Sequence, residues 1–323
     1  MIENGKNRAE EHAQNEAAQA EQENLSIRSR IIREIVAEFN QHSHLKSVLV
    51  EENRSKSEID KPFHYPEHVE TVRYHMPEFE MELLSWKESE SPWVILQLHG
   101  GGYVGALKNS YRTMAGLYAE VGKGAKVLTI DYRVAPEHPF PAALMDAYTA
   151  YQWLLEQGYN SRQIIFAGDS AGGGLAMALC HYLKDHEVEL PAGIIAMSPW
   201  TDLTAGGSSY KNNYEIDPVF GCGGDYLIHD SAYIGEQDAK NPYISPAFGD
   251  FTGFPPMLIQ VGTCEMLLSD SEIVAKKALE AGVKVRLSKY EGMFHVFQMA
   301  AKLMPESRKA WSEVGKYIEL LGQ

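Results

Sequence analysis

The chain has no long apolar run, little cysteine and no excess of positive charge. No stretch approaches the roughly 18 consecutive apolar residues of a membrane-spanning helix, so membrane insertion is not expected. Residues 1–24 are polar and charged and lack the apolar segment of a secretory signal. The three cysteines, Cys180, Cys222 and Cys264, lie far apart with no CxxC pair. They fit neither a disulfide framework nor a zinc site, and a reduced, cytoplasmic location is expected. A net charge of -15 speaks against nucleic acid or anionic lipid as partner, since both attract basic patches. No internal repeat occurs, and low complexity is confined to the Glu-, Gln-, Asn- and Ala-rich residues 1–24.

With 323 residues the chain suits one large α/β domain carrying an appendage. Strand-like segments read at Val69–His75, Met81–Trp86, Trp93–Leu98, Lys126–Ile130, Ile164–Ala167, Ala192–Met197, Met257–Val261 and Lys284–Tyr290. Helical patterns read at Ser110–Val121, Ala142–Glu156, from the glycine-rich turn at Ser170 to about Lys184, at Ser269–Ala281 and at Met299–Leu321. Apolar strands alternating with helices predict a mostly parallel sheet covered on both faces, with the first two strands antiparallel at one edge. Ile27, Ile31, Ile35 and Phe39 recur every four residues, with Ile32 and Val36 beside them, opposite a polar face of Arg28, Arg30, Arg33 and Glu34. This predicts an amphipathic helix whose apolar face covers the substrate pocket, packs outside the sheet or pairs two chains into a homodimer. Residues 201–245, rich in Gly, Ser, Asn and Tyr, interrupt the alternation. The expected organisation is an N-terminal cap segment (1–60), a catalytic core (61–200 and 246–323) and a cap insertion (201–245).

Gly168-Asp169-Ser170-Ala171-Gly172 sits between an apolar strand and a helix. A serine flanked by glycines at such a turn fits a nucleophile elbow, where only residues without bulk tolerate the sharp bend. His99-Gly100-Gly101-Gly102-Tyr103 follows an earlier strand. It lacks the Gly-Lys-Ser/Thr ending of a phosphate loop and the GxGxxG spacing of a dinucleotide loop. Residues without Cβ would let backbone amides approach an oxyanion, and Gly101, Gly102 and Ala171 are the expected donors. His99 is expected to brace that loop rather than act as base.

Among twelve histidines, His295 stands in the short loop Glu291-Gly292-Met293-Phe294-His295 after the last strand, where the base of such a site belongs. His138, His181, His186 and His229 read as surface or structural. Glu265 and Asp270 both follow the strand Met257–Val261 and qualify by position as the acid that orients the histidine. Glu265 is preferred, because Asp270 falls within the next helix; Asp202 reads as structural.

These motifs resemble the hormone-sensitive lipase family of α/β-hydrolases, which includes bacterial carboxylesterases. The resemblance is carried by His99 to Tyr103, the run Asp131-Tyr132-Arg133-Val134-Ala135-Pro136-Glu137-His138-Pro139-Phe140-Pro141-Ala142-Ala143, Gly168 to Gly173, Ser198-Pro199-Trp200, and Gly292-Met293-Phe294-His295-Val296-Phe297. It implies an α/β-hydrolase fold with a helical cap and a catalytic triad of Ser170, His295 and an acid. The family acid is usually aspartate; the matching stretch here, Gly262-Thr263-Cys264-Glu265-Met266-Leu267, offers Glu265. The run from Asp131 is expected to fasten the oxyanion loop through Arg133 and Glu137. The implied activity is hydrolysis of small-molecule esters, acetyl to about hexanoyl, without metal or organic cofactor. An acyltransferase or amidase with the same triad, and a non-catalytic ligand-binding relative, are the alternatives.

Overall fold

The structure, a computed structural model, describes residues 25–41, 55–221, 226–229 and 231–323. Residues 1–24, Cys222, the side chain of Phe39 and part of the 41–64 linker lie outside them. The strands are β1 (Val69–His75), β2 (Glu80–Trp86), β3 (Val94–Leu98), β4 (Lys126–Asp131), β5 (Ile164–Asp169), β6 (Gly193–Met197), β7 (Met257–Gly262) and β8 (Val285–Tyr290). The helices are α1 (Ile27–Gln41), α2 (Asn109–Val121), α3 (Ala142–Glu156), α4 (Ala171–Asp185), α5 (Leu268–Glu280) and α6 (Pro305–Leu321). Short helical turns punctuate the 201–245 segment at Ser209–Asn212 and Tyr226–His229.

The eight strands form one sheet in the order β1-β2-β4-β3-β5-β6-β7-β8. β1 and β2 pair antiparallel at the edge, β2 meets β4 antiparallel, and all other pairs are parallel. This is the α/β-hydrolase arrangement that the alternation of strands and helices predicts. Side-chain alternation along the central strands builds two cores. Val94, Leu96 and Leu98 of β3 and Ile164 and Phe166 of β5 face α3, α4 and α5. Ile95 of β3 and Ile165 and Ala167 of β5 face α2 and α6 through Met114, Tyr118, Trp311 and Val314. Burying each large apolar side chain contributes about 1.5–3 kcal/mol, so this double-sided seam holds the strand ends in fixed positions.

Two expectations are corrected here. The last helix does not start at Met299: Phe297–Ala300 form a 3₁₀ turn, and α6 begins at Pro305. Proline lacks the N–H that a first helical turn leaves unused, so it starts a helix readily. The second correction concerns α1. Its Ile27 and Ile31 project outward, 69% and 50% exposed, whereas Ser29 and Arg33 are buried. Polar bonds seat this helix: Ser29 donates to Glu306, and the Arg33 guanidinium donates to the carbonyls of Gly292 (2.8 Å) and Ile216 (2.6 Å). Ile32 and Val36, on the flank of the apolar stripe, pack against Phe294 and its neighbours. No helix among the described residues is long and apolar enough to cross a membrane.

Candidate active site

Ser170 occupies the turn between β5 and α4 with φ 52° and ψ -123°. Such a backbone state costs on the order of 1–3 kcal/mol and persists only where surroundings enforce it. They do so here. Ser170 N donates to Met197 O, and its carbonyl accepts from Trp200 N, both at 2.9 Å. A Cβ on Gly172 would lie 2.0 Å from Leu98 O, so this position has no room for any other residue. Ala171, as the first helical residue, presents an amide that has no partner within the helix.

The second loop wraps beside it. Gly101 has φ 115°, and its carbonyl accepts from Gly105 N at 2.9 Å, closing a tight turn. A Cβ there would stand 3.0 Å from Gly105 O, so the turn requires glycine. His99 is fully buried; burial lowers its pKa and keeps the ring neutral. Its Nδ1 lies 2.7 Å from Gly100 O, which can only accept, so Nδ1 carries the proton and braces the loop as expected. The run from Asp131 fastens the loop by other means than expected. Tyr132 stacks on His99 at 4.0 Å and donates to His99 O at 2.6 Å. Asp131 accepts from Leu107 N, and Ala135 N donates to Tyr103 O. Arg133 instead pairs with Asp146 and Glu78, and Glu137 is exposed. Arg133 is committed to the buried carboxylate of Asp146 on α3, whereas the stacked tyrosine is fixed against His99 by area and by its hydroxyl.

His295 lies in the loop after β8 with Nδ1 2.9 Å from Glu265 Oε2. Glu265 is wholly buried, and its Oε1 accepts from Ser198 Oγ (2.9 Å) and from Gly262 N. Asp270, the other candidate, points elsewhere: its Oδ2 accepts from Thr201 N (2.7 Å) and Asp202 N (2.8 Å), anchoring the start of the 201–245 segment. Asp202 turns back on Thr204 and Gly206. His181 binds Pro246 O, while His138, His186 and His229 are exposed.

Ser170, His295, Gly101 and Gly102 line one cavity of about 770 Å³. Its apolar wall comes from Ile32, Ile35 and Val36 of α1, Val219, Phe220 and Ile228 of the insertion, and Leu267, Phe294 and Met299. Three polar residues, unmarked by any sequence motif, tie this wall to the loops that carry Glu265 and His295. Asn213 Nδ2 donates to the carbonyls of Thr263 and Glu265. Asp217 accepts from Met266 N at 2.7 Å and from Val219 N and Phe220 N. Arg33 joins α1 to both the insertion and the loop before His295. Asp217 precedes a proline, which in sequence signals only a turn.

Two predictions arise from these contacts. Arg33→Met keeps the side chain's length but strips two carbonyls, the buried one of Gly292 and the half-buried one of Ile216, of their donor. Such a loss is worth roughly 1–3 kcal/mol. KM for an aryl hexanoate should rise about ten-fold; an unchanged KM would mean that α1 does not shape the occupied pocket. The second concerns pH. Burial pushes both Asp169 and Asp270 from the ordinary 3.8 up to about 7, against the backbone N–H groups that pull them down. Between those values these two carboxyls hold more protons in the folded chain than in the unfolded one, so their contribution to stability falls as pH rises from about 4 to about 7. Asp270→Asn keeps an acceptor for Thr201 and Asp202 but cannot titrate. Its thermal midpoint should therefore depend less steeply on pH across that window, and a parallel profile would refute the assignment.

Comparison with known proteins agrees with this architecture. The α/β hydrolase fold family model matches residues 95–299. An acetyl-hydrolase of Streptomyces hygroscopicus is 39% identical over 69% of this chain and 74% of its own length. Among solved structures, an esterase/lipase from an uncultured bacterium superposes with TM-score 0.81 at 33% identity, covering 92% of this chain and 99% of that one. An esterase of the bacterial hormone-sensitive lipase family matches with TM-score 0.74 at 35% identity, covering 80% and 86%. The fold and relatives define the class, an α/β-hydrolase, and within it the chain belongs to the hormone-sensitive lipase family.

Proposed function

We propose that this carboxylic ester hydrolase is a serine carboxylesterase acting through an acyl-enzyme. The observation that carries the reading is the 2.9 Å contact between His295 Nδ1 and buried Glu265, beside a cavity that His295 shares with Ser170. In this reading Ser170 Oγ attacks the ester carbonyl carbon while His295 Nε2 takes the hydroxyl proton. Glu265 holds the Nδ1–H tautomer and stabilises the imidazolium that forms. The N–H groups of Gly101, Gly102 and Ala171 receive the oxyanion, in a site whose apolar walls strengthen each of those bonds. Collapse of the tetrahedral adduct breaks the bond to the alkoxy oxygen, which leaves with the proton from His295. A water then repeats the sequence on the acyl-Ser170 ester, giving the acid and the free hydroxyl.

Residues 1–60 and 201–245 are proposed as a cap over a core of 61–200 and 246–323. Support comes from the side chains that α1 and the insertion place in the cavity wall. The small-molecule esters proposed as substrates carry acyl groups from acetyl to about hexanoyl. Rapid mixing with an aryl butyrate should release a burst of aryl alcohol of one equivalent per site, with the butyryl mass on the peptide containing Ser170. Undiminished turnover after a small fluorophosphonate has fully labelled Ser170 would point to direct attack by water. An acyl-length series on the same enzyme sets the chain limit.

A further inference from the structure

Ser198 follows β6, in a motif that the reading above leaves without a task. Its backbone φ is 47°, and its N–H donates to Gln260 O of β7 at 2.7 Å. The side chain is wholly buried. Its Oγ accepts from Val296 N at 3.1 Å and lies 2.9 Å from Glu265 Oε1. A hydroxyl has one proton to give. Because Val296 N–H occupies a lone pair of this oxygen, and a carboxylate only accepts, that proton is directed at Glu265.

We propose that Ser198 is a positioning residue for Glu265, fixing the rotation of its carboxylate so that Oε2 faces His295 Nδ1. The proposal rests on the Ser170–His295–Glu265 reading. Glutamate has one more rotatable bond than aspartate, so reaching His295 with one oxygen does not by itself determine where the other points. Here the other oxygen is held by two donors, Gly262 N and Ser198 Oγ. A single hydroxyl thereby joins the acid to the residue after the base, and the loops behind β6, β7 and β8 meet at one atom. A buried carboxylate with a missing donor carries a large penalty and relaxes by rotating or drawing closer to another group. Either response moves Oε2 from Nδ1. The effect belongs to the step that charges His295, so it falls on kcat rather than on binding.

The test is a double-mutant cycle on full-length enzyme with an aryl butyrate, comparing wild type, Ser198→Ala, Glu265→Gln and the double variant. Ser198→Ala should lower kcat about 10-fold to 100-fold, the range for a hydrogen bond to a charged group, with KM within about two-fold. In the Glu265→Gln background the same change should cost less than about three-fold, because the carboxylate it serves is gone. Ser198→Gly, which suits the left-handed backbone, repeats the cycle should the alanine variant fold poorly. Equal losses in both backgrounds, or no loss from removing the hydroxyl in wild type, would overturn the proposal and leave the triad reading standing. Full turnover by Glu265→Gln alone would remove the triad reading and this proposal with it.

Discussion

Ser170→Ala is expected to lower kcat on an aryl acetate by about 10⁴-fold or more while the fold is retained. The magnitude follows from what is lost. Without Oγ no covalent adduct forms, and the oxyanion donors and His295 are left to act on water, which has no fixed position. The fold is expected to survive because the contacts that hold the elbow are made by its backbone and by Gly172, not by the hydroxyl. Those bonds, Ser170 N to Met197 O and Trp200 N to Ser170 O, persist in alanine. An unchanged circular dichroism spectrum and thermal midpoint would show that the loss is chemical. A folded variant with near-normal turnover would sink the serine-hydrolase reading.

The second large effect separates two buried acids five residues apart in sequence. Glu265→Gln should lower kcat about 10³-fold to 10⁴-fold, because a neutral amide neither stabilises the imidazolium nor selects the Nδ1–H tautomer. Asp270→Asn should change kcat far less, since Asp270 grips the amides of Thr201 and Asp202 and does not touch His295. The measurement is kcat for both variants on one ester at a pH where wild type is fully active. The opposite ranking would transfer the orienting role to Asp270, and two mild effects would mean that His295 works without a carboxylate.

What the sequence made legible was whatever side-chain type alone decides. Strands β3 and β5 to β7 announce themselves as apolar runs because both of their faces are buried. The elbow is legible because Gly172 tolerates no Cβ against Leu98 O, a local constraint that leaves a local mark. Glu265 could be preferred over Asp270 only by distance from a strand end; the 2.9 Å contact to His295 needs β7 and β8 side by side. The seating of α1 was legible only in part: Ile32, Ile35 and Val36 do reach the cavity, but four-residue periodicity reports where apolar side chains stand, and this helix also docks by donating to main-chain carbonyls. Those carbonyls belong to Gly292 and Ile216, and a carbonyl has no letter in a sequence. The same blindness hid Asn213 and Asp217, whose partners are also backbone groups in a segment without periodicity. Arg133 and Glu137 drew attention by charge, yet Tyr132 does the fastening through stacking, which charge patterns do not reveal.

The bonds that Arg33, Asn213 and Asp217 make to the loops carrying Glu265 and His295 all end on main-chain atoms. Every amino acid offers the same carbonyl and nearly all the same amide, so these fastenings are indifferent to the side chains on the other side of the joint. A wall residue that stands clear of those loops, such as the largely exposed Ile35, can therefore be exchanged for a larger, smaller or more polar one without disturbing how they are held. Phe220, its ring 4.6 Å from that of His295, and Ile32, packed against Phe294, instead touch the base loop itself. Choice of ester and chemical competence become separately heritable: drift or deliberate redesign can retune the first through the wall while the second is passed on intact.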